Sequence, residues 1–115
     1  MLKGIGQLTG LLGALPKIRE EFDKLQQRLP QIVAEGDAGG GMVRARANGK
    51  MEIVACTLTD EALKLNDREM LEDLIRAAVN QALTKVRQQV AEETSKMAAG
   101  LGLPPGLGLP GLPDS

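Results

Sequence analysis

The chain has 115 residues, 43% of them hydrophobic, and a formal net charge of −1 from 14 basic and 15 acidic residues. That length suits one domain and is too short for two independent cores. The absence of histidine removes the usual zinc and histidine-dependent catalytic sites, and the single cysteine, Cys56, excludes an internal disulfide.

Phe22 is the only aromatic residue, so a core of Leu, Ala, Val, Ile and Met is thin, and pairing with a second copy is expected. The longest apolar stretch, Ile5 to Leu15, is broken by glycines and polar residues and reads as neither a membrane span nor a signal peptide. A cytoplasmic protein without a membrane partner is expected. Cys56, between Ala55 and Thr57, reads as a small buried residue and not as a reactive thiol.

Residues 1–15 carry Gly4, Gly6, Gly10 and Gly13 among leucines, which weakens a helix, and they are expected to form a mobile arm. From Pro16 the pattern firms. Ile18, Phe22, Leu25 and Leu29 are spaced by four, three and four, as on one face of a helix, and Pro30 ends it. A weak strand is expected at Gln31 to Glu35, followed by a glycine-rich turn from Gly36 to Gly41. A second strand, Met42 to Ala47, alternates Val43, Ala45 and Ala47 with Arg44 and Arg46. Asn48-Gly49 is the signature of a two-residue type I′ hairpin with positive φ at both positions, leading into a third strand from Lys50 to Thr59 in which Val54, Cys56 and Leu58 share a face. Thr59 or Asp60 caps a short helical turn through Leu65. Asn66 or Asp67 then starts a long helix, to Ala99, with Glu69 placed to complete the cap. Its stripe of Leu71, Leu74, Ile75, Ala78, Val79, Ala82, Leu83, Val86, Val90 and Met97 extends for about 50 Å, more than a small sheet covers. The expected fold is α+β, in the order α-β-β-β-α. One domain occupies residues 16–99, and a Pro/Gly/Leu-rich tail over 100–115 is expected to be disordered.

No catalytic constellation emerges, and no enzyme, cofactor, metal site or small-molecule substrate is expected. Acidic pairs such as Glu72-Asp73 lie where a helix dipole favours negative charge. The Gly39-Gly40-Gly41 run lacks the Lys-Ser/Thr ending of a phosphate loop. Charge is unevenly placed: residues 1–30 hold five basic and three acidic side chains, a local +2, and the remainder sums to −3. On the first helix Lys17, Lys24 and Arg28 share a face about 100° from the apolar stripe, with Glu20 spaced to pair with Lys24. Arg19, Lys85, Arg87 and Lys96 complete the candidate phosphate-binding set, with Arg44 and Arg46 of the sheet next. The lack of aromatics favours duplex over single-stranded nucleic acid.

The Gly-containing turn, the Asn-Gly hairpin, the runs Glu-Met-Leu-Glu-Asp-Leu (69–74) and Ala-Ala-Val-Asn-Gln-Ala (77–82), and the Leu-Pro-Pro-Gly ending (103–106) occur in one order. Over residues 16–106 this resembles the YbaB/EbfC family of small bacterial nucleoid-associated proteins. The resemblance implies a homodimer joined through its sheets, with projecting helices, that binds double-stranded DNA in the nucleoid with little sequence readout. A reading from another class is a protein interaction module without DNA binding of its own.

Overall fold

The computed structural model describes residues 2–102. The expectation of a disordered tail therefore lies, from residue 103 on, outside the described residues. Helix α1 (Leu2–Arg28) leads through a short 3-10 turn (Leu29–Gln31) to strands β1 (Val33–Ala38), β2 (Val43–Asn48) and β3 (Ile53–Leu58), then to α2 (Asp60–Lys64) and the long α3 (Arg68–Gly100). The α-β-β-β-α order is as expected, but α1 does not wait for Pro16. It begins at Leu2 and carries Pro16 inside it. The leucines upstream continue the three-and-four spacing, and this outweighs four glycines that each cost about 1 kcal/mol in helix propensity.

The three strands form an antiparallel sheet in the order β1-β2-β3. β1 pairs with β2 from Val33↔Asn48 to Ala38↔Val43, so Gly36, Asp37 and Ala38 belong to the strand, and the turn is confined to Gly39–Met42. Gly39, Gly40 and Gly41 all adopt positive φ there, which explains the glycine run. Gly36 has a different task. A methyl carbon on it would collide with the carbonyl oxygen of Ala78 and lie 2.5 Å from the backbone nitrogen of Ala82. β1 thus rests directly on the backbone of α3, as a glycine inside a strand often signals.

Alternation sets the core. Ala34, Gly36, Val43, Ala45 and Ala47 are buried against α3, while Glu35, Asp37, Arg44 and Arg46 face outward. On α3 the matching residues are Ala78, Ala82 and Val86, all fully buried. Small residues on both sides permit the close approach. Leu71, Leu74, Ile75, Val79 and Leu83 border this core, so most of the expected stripe is in place.

The Asn-Gly hairpin exists, but its turn is not the expected two-residue type. Met51 N–H donates to Asn48 O at 2.9 Å, Asn48 N–H donates to Glu52 O at 3.0 Å, and the positive φ falls on Met51 (62°). This is a three-residue loop closed by a left-handed residue. The Asn48 side chain favours it by accepting from the backbone N–H groups of Lys50 (3.0 Å) and Glu52 (3.3 Å). Gly49 is needed for proximity: its N–H donates to Leu29 O at 2.9 Å, and an added methyl carbon would sit 2.5 Å from that same oxygen. Gly49→Ala is accordingly expected to pry the 3-10 turn off the hairpin and lower stability by about 1–3 kcal/mol, read as a shift in the urea midpoint.

β3 departs most from expectation. A bulge sets Arg46 opposite Ala55 and Ala47 opposite Ile53, leaving Val54 as the extra residue. All six residues of β3 are exposed, Cys56 among them, because α3 lies over β1 and β2 and leaves the edge strand uncovered. The expectation of a buried cysteine fails for the single chain for this reason.

Thr59 caps α2 by accepting from Ala62 N–H at 3.3 Å, and its hydroxyl donates to Met42 O at 2.8 Å. Asp67 caps α3, accepting from Met70 N–H at 3.1 Å, with Glu69 in the first turn. The far half of α3 meets α1. Leu25 on α1 and Val90, Thr94 and Met97 on α3 are buried, and Arg28 reaches Glu93 at 3.6 Å. The whole is 71 Å long.

Candidate nucleic-acid interface

The candidate cations fall into two sets. Those already occupied are Lys24, 3.3 Å from Glu21 and 3.6 Å from Glu20, and Arg28, bound to Glu93. Glu21 first, then Glu20, raises the pKa of the Lys24 ammonium above the usual lysine value, so the charge persists while the local field is largely cancelled. Two of the three cations sharing the α1 face are therefore compensated, and the Glu20–Lys24 pairing suggested by spacing is present. Exposed pairs of this kind stabilise by about 0–1 kcal/mol and yield readily to a phosphate.

The second set is exposed and makes no ion pair among the described residues: Lys17 and Arg19 on α1, and Lys85, Arg87 and Lys96 on α3. Eleven residues separate Lys85 from Lys96, three turns of helix, so the two stand on one flank of α3 about 16 Å apart. Arg87 stands on the opposite flank. Both flanks lie off the face that Ala82, Val86 and Val90 bury, which keeps these charges in water.

The sheet adds a smaller cluster. Arg46 holds Glu35 across the β1-β2 ladder at 2.7 Å, and Arg44 stands beside it with no ion pair among the described residues. The hydrogen bond from Arg46 lowers the Glu35 pKa, its charge adds to this, and Arg44 and Lys85 contribute further. Lys85 is thus electrostatically continuous with the outer face of the sheet, a link that sequence spacing does not reveal. Because the folded pKa lies below the ordinary 4.5, this interaction stabilises fully above that value and is lost as pH falls through the folded pKa. Melting curves of the parent and of Glu35→Gln are expected to differ near neutrality and to converge in acid.

Among the described residues no group of three acidic, cysteine or histidine side chains is placed to hold a metal ion, and no helix is long and apolar enough to cross a membrane. An α-β-β-β-α chain with its unpaired cations on two long helices is of the class of small α+β nucleic-acid-binding proteins. The family model of the YbaB/EbfC DNA-binding family matches residues 4–101, and the chain belongs to this family. The match starts upstream of the residue 16 boundary suggested by sequence motifs, in keeping with the early start of α1. The chain is similar to nucleoid-associated proteins of Caldanaerobacter subterraneus subsp. tengcongensis (39% identity over 97 residues, 84% of this chain and 87% of the relative) and Bordetella avium (40% over 105 residues, 91% and 96%). A third, from Dictyoglomus thermophilum, is 42% identical over 93 residues, 81% of this chain and 89% of the relative. Among solved structures, an uncharacterized protein from Helicobacter pylori superposes with a TM-score of 0.65 at 26% identity, covering 76% of this chain and 91% of that one.

Proposed function

We propose that this chain acts as a nucleoid-associated protein that binds double-stranded DNA as a homodimer, through cations on α1 and α3 and with little sequence readout. The observation that carries the reading is the set Lys17, Arg19, Lys85, Arg87 and Lys96, exposed on both long helices of a chain of the YbaB/EbfC DNA-binding family. Phosphate binding needs cations in water with no competing carboxylate, and base reading needs an element shaped to enter a groove. The net charge of −1 argues for local binding through these residues and for modest affinity.

The homodimer is supported by β3. This unpaired edge exposes Val54 at 52% and Ile53 at 39%, and Leu63 on α2 is exposed at 60%. Edges of this kind are usually short, charged or covered, and a second copy of the same edge is a natural cover. Pairing through β3 leaves α1 and α3 of both copies free for DNA.

Two measurements test the proposal together. Sedimentation is expected to give about 24 kDa, twice the 12.2 kDa chain, and a gel shift at low salt is expected to retard unrelated duplexes alike. A folded monomer at micromolar concentration would remove the dimer, and a dimer that leaves duplex DNA unshifted would favour a protein partner.

A further inference from the structure

A leucine-lined flank of α1 remains uncovered beyond the end of α3. The Arg28–Glu93 contact fixes the offset of the two helices. From Glu93, α3 continues only to Gly100, whereas α1 continues from Arg28 back to Leu2. Since the helices run antiparallel, Gly100 ends about level with Glu21, and about 28 Å of α1 lies beyond it. The 71 Å length of the molecule agrees, since α3 alone accounts for about 50 Å. On this free length Leu12 is 64% exposed and Leu15 51%. Leu12, Leu15, Arg19 and Asp23 step by three and four along one flank, and Leu15, Pro16, Arg19, Glu20 and Asp23 line a shallow groove of about 440 Å³ there.

The chain itself supplies a segment suited to it. After α3, Leu101 N–H donates to the carbonyls of Met97 and Ala98, and Gly102 takes φ of 75°, the left-handed turn that redirects a chain leaving a helix. Thirteen residues follow, rich in proline, glycine and leucine and uncharged until Asp114. Arranged as a polyproline-II helix of three residues per turn, Leu103, Leu109 and Leu112 fall on one ridge. Pro104, Leu107, Pro110 and Pro113 fall on the next, and the third carries Pro105, Gly108, Gly111 and Asp114. At about 3.1 Å per residue the segment reaches about 40 Å, enough to run the length of free α1. Proline lowers the entropy lost on docking, and the absence of charge avoids desolvating an ion over leucine.

We propose that residues 103–113 dock in polyproline-II form along the Leu12/Leu15 flank of α1 of their own chain. The docked tail takes the place that α3 vacates at Gly100 and covers the exposed leucines. This is independent of DNA binding and of the sheet-edge dimer.

The test is paramagnetic broadening in the full-length chain. A nitroxide is attached at Ser115→Cys in a Cys56→Ser background, and the amides of residues 11–20 are observed by NMR. Strong broadening of these amides is expected, with amides of β1 and β2 unaffected. It is expected to be lost in Leu12→Ser/Leu15→Ser, whose exposed positions leave the fold intact, and equally in Leu103→Ser/Leu109→Ser/Leu112→Ser, which lies outside the folded core. Absence of broadening in the parent, or its survival in both variants, overturns the proposal. Labelled chains mixed with spin-labelled, isotopically silent chains assign the source: broadening that appears only there places the tail on a second copy and overturns docking within one chain.

Discussion

Gly36→Val is expected to cost about 3 kcal/mol or more, a large part of the ~5–15 kcal/mol by which a domain of this kind is stable. The added carbon meets the backbone of α3 at Ala78 and Ala82, and backbone cannot swing aside as a side-chain tip does. Relief requires lifting β1 from α3, and that separates Ala34 and Ala45 from Ala78 and Ala82, the centre of the core. Even Gly36→Ala is expected to lower the melting temperature by many degrees. Gly13→Ala serves as the contrast. Nothing lies within 4 Å of a methyl carbon there, so the change is expected to be neutral or to raise helicity, by up to about 1 kcal/mol of propensity. Equal melting temperatures for the Gly36 variants and the parent would mean that β1 does not rest on α3 as described.

The second large effect concerns DNA. Replacing Lys17, Arg19, Lys85 and Lys96 together by Gln is expected to weaken binding to unrelated duplexes by about 100-fold or more at low salt. The slope of log affinity against log salt should flatten by ~0.9 for each phosphate contact removed. Secondary structure and dimer mass should be unchanged, since all four side chains lie off the buried faces. Lys24→Gln is expected to do much less, because Glu20 and Glu21 already absorb its charge. Losses confined to preferred sequences would point to base contacts. An unchanged slope would move the interface to Arg44, Arg87 and the sheet.

The element order and the inward faces of β1, β2 and α3 could be read from the residues because both depend on local periodicity. What escaped involved partners distant in the chain. Gly36 reads locally as a turn residue, and its role appears only when α3, some forty residues later, is laid against it. Asn48-Gly49 signals a hairpin correctly, yet the turn type is decided by the Asn48 side chain and by Leu29. The phosphate-binding line on α1 was drawn from spacing alone, and spacing along one helix does not show that Arg28 is held by Glu93 across the helix pair. Cys56 alternates like a buried strand residue, but burial also requires something on top of it, and α3 does not extend that far.

The uncovered edge at β3 bears on how this chain behaves as its amount varies. The largest fully buried side chains within one copy are Val43 and Val86, a modest interior, while Ile53, Val54 and Leu58 wait at the rim. In the proposed dimer much of the apolar burial comes from the second copy, so folding and assembly are linked by mass action and the melting temperature climbs with concentration. A sparse chain would be the softer target for proteases, and an abundant one would protect itself, so that its level in the cell sets its own lifetime.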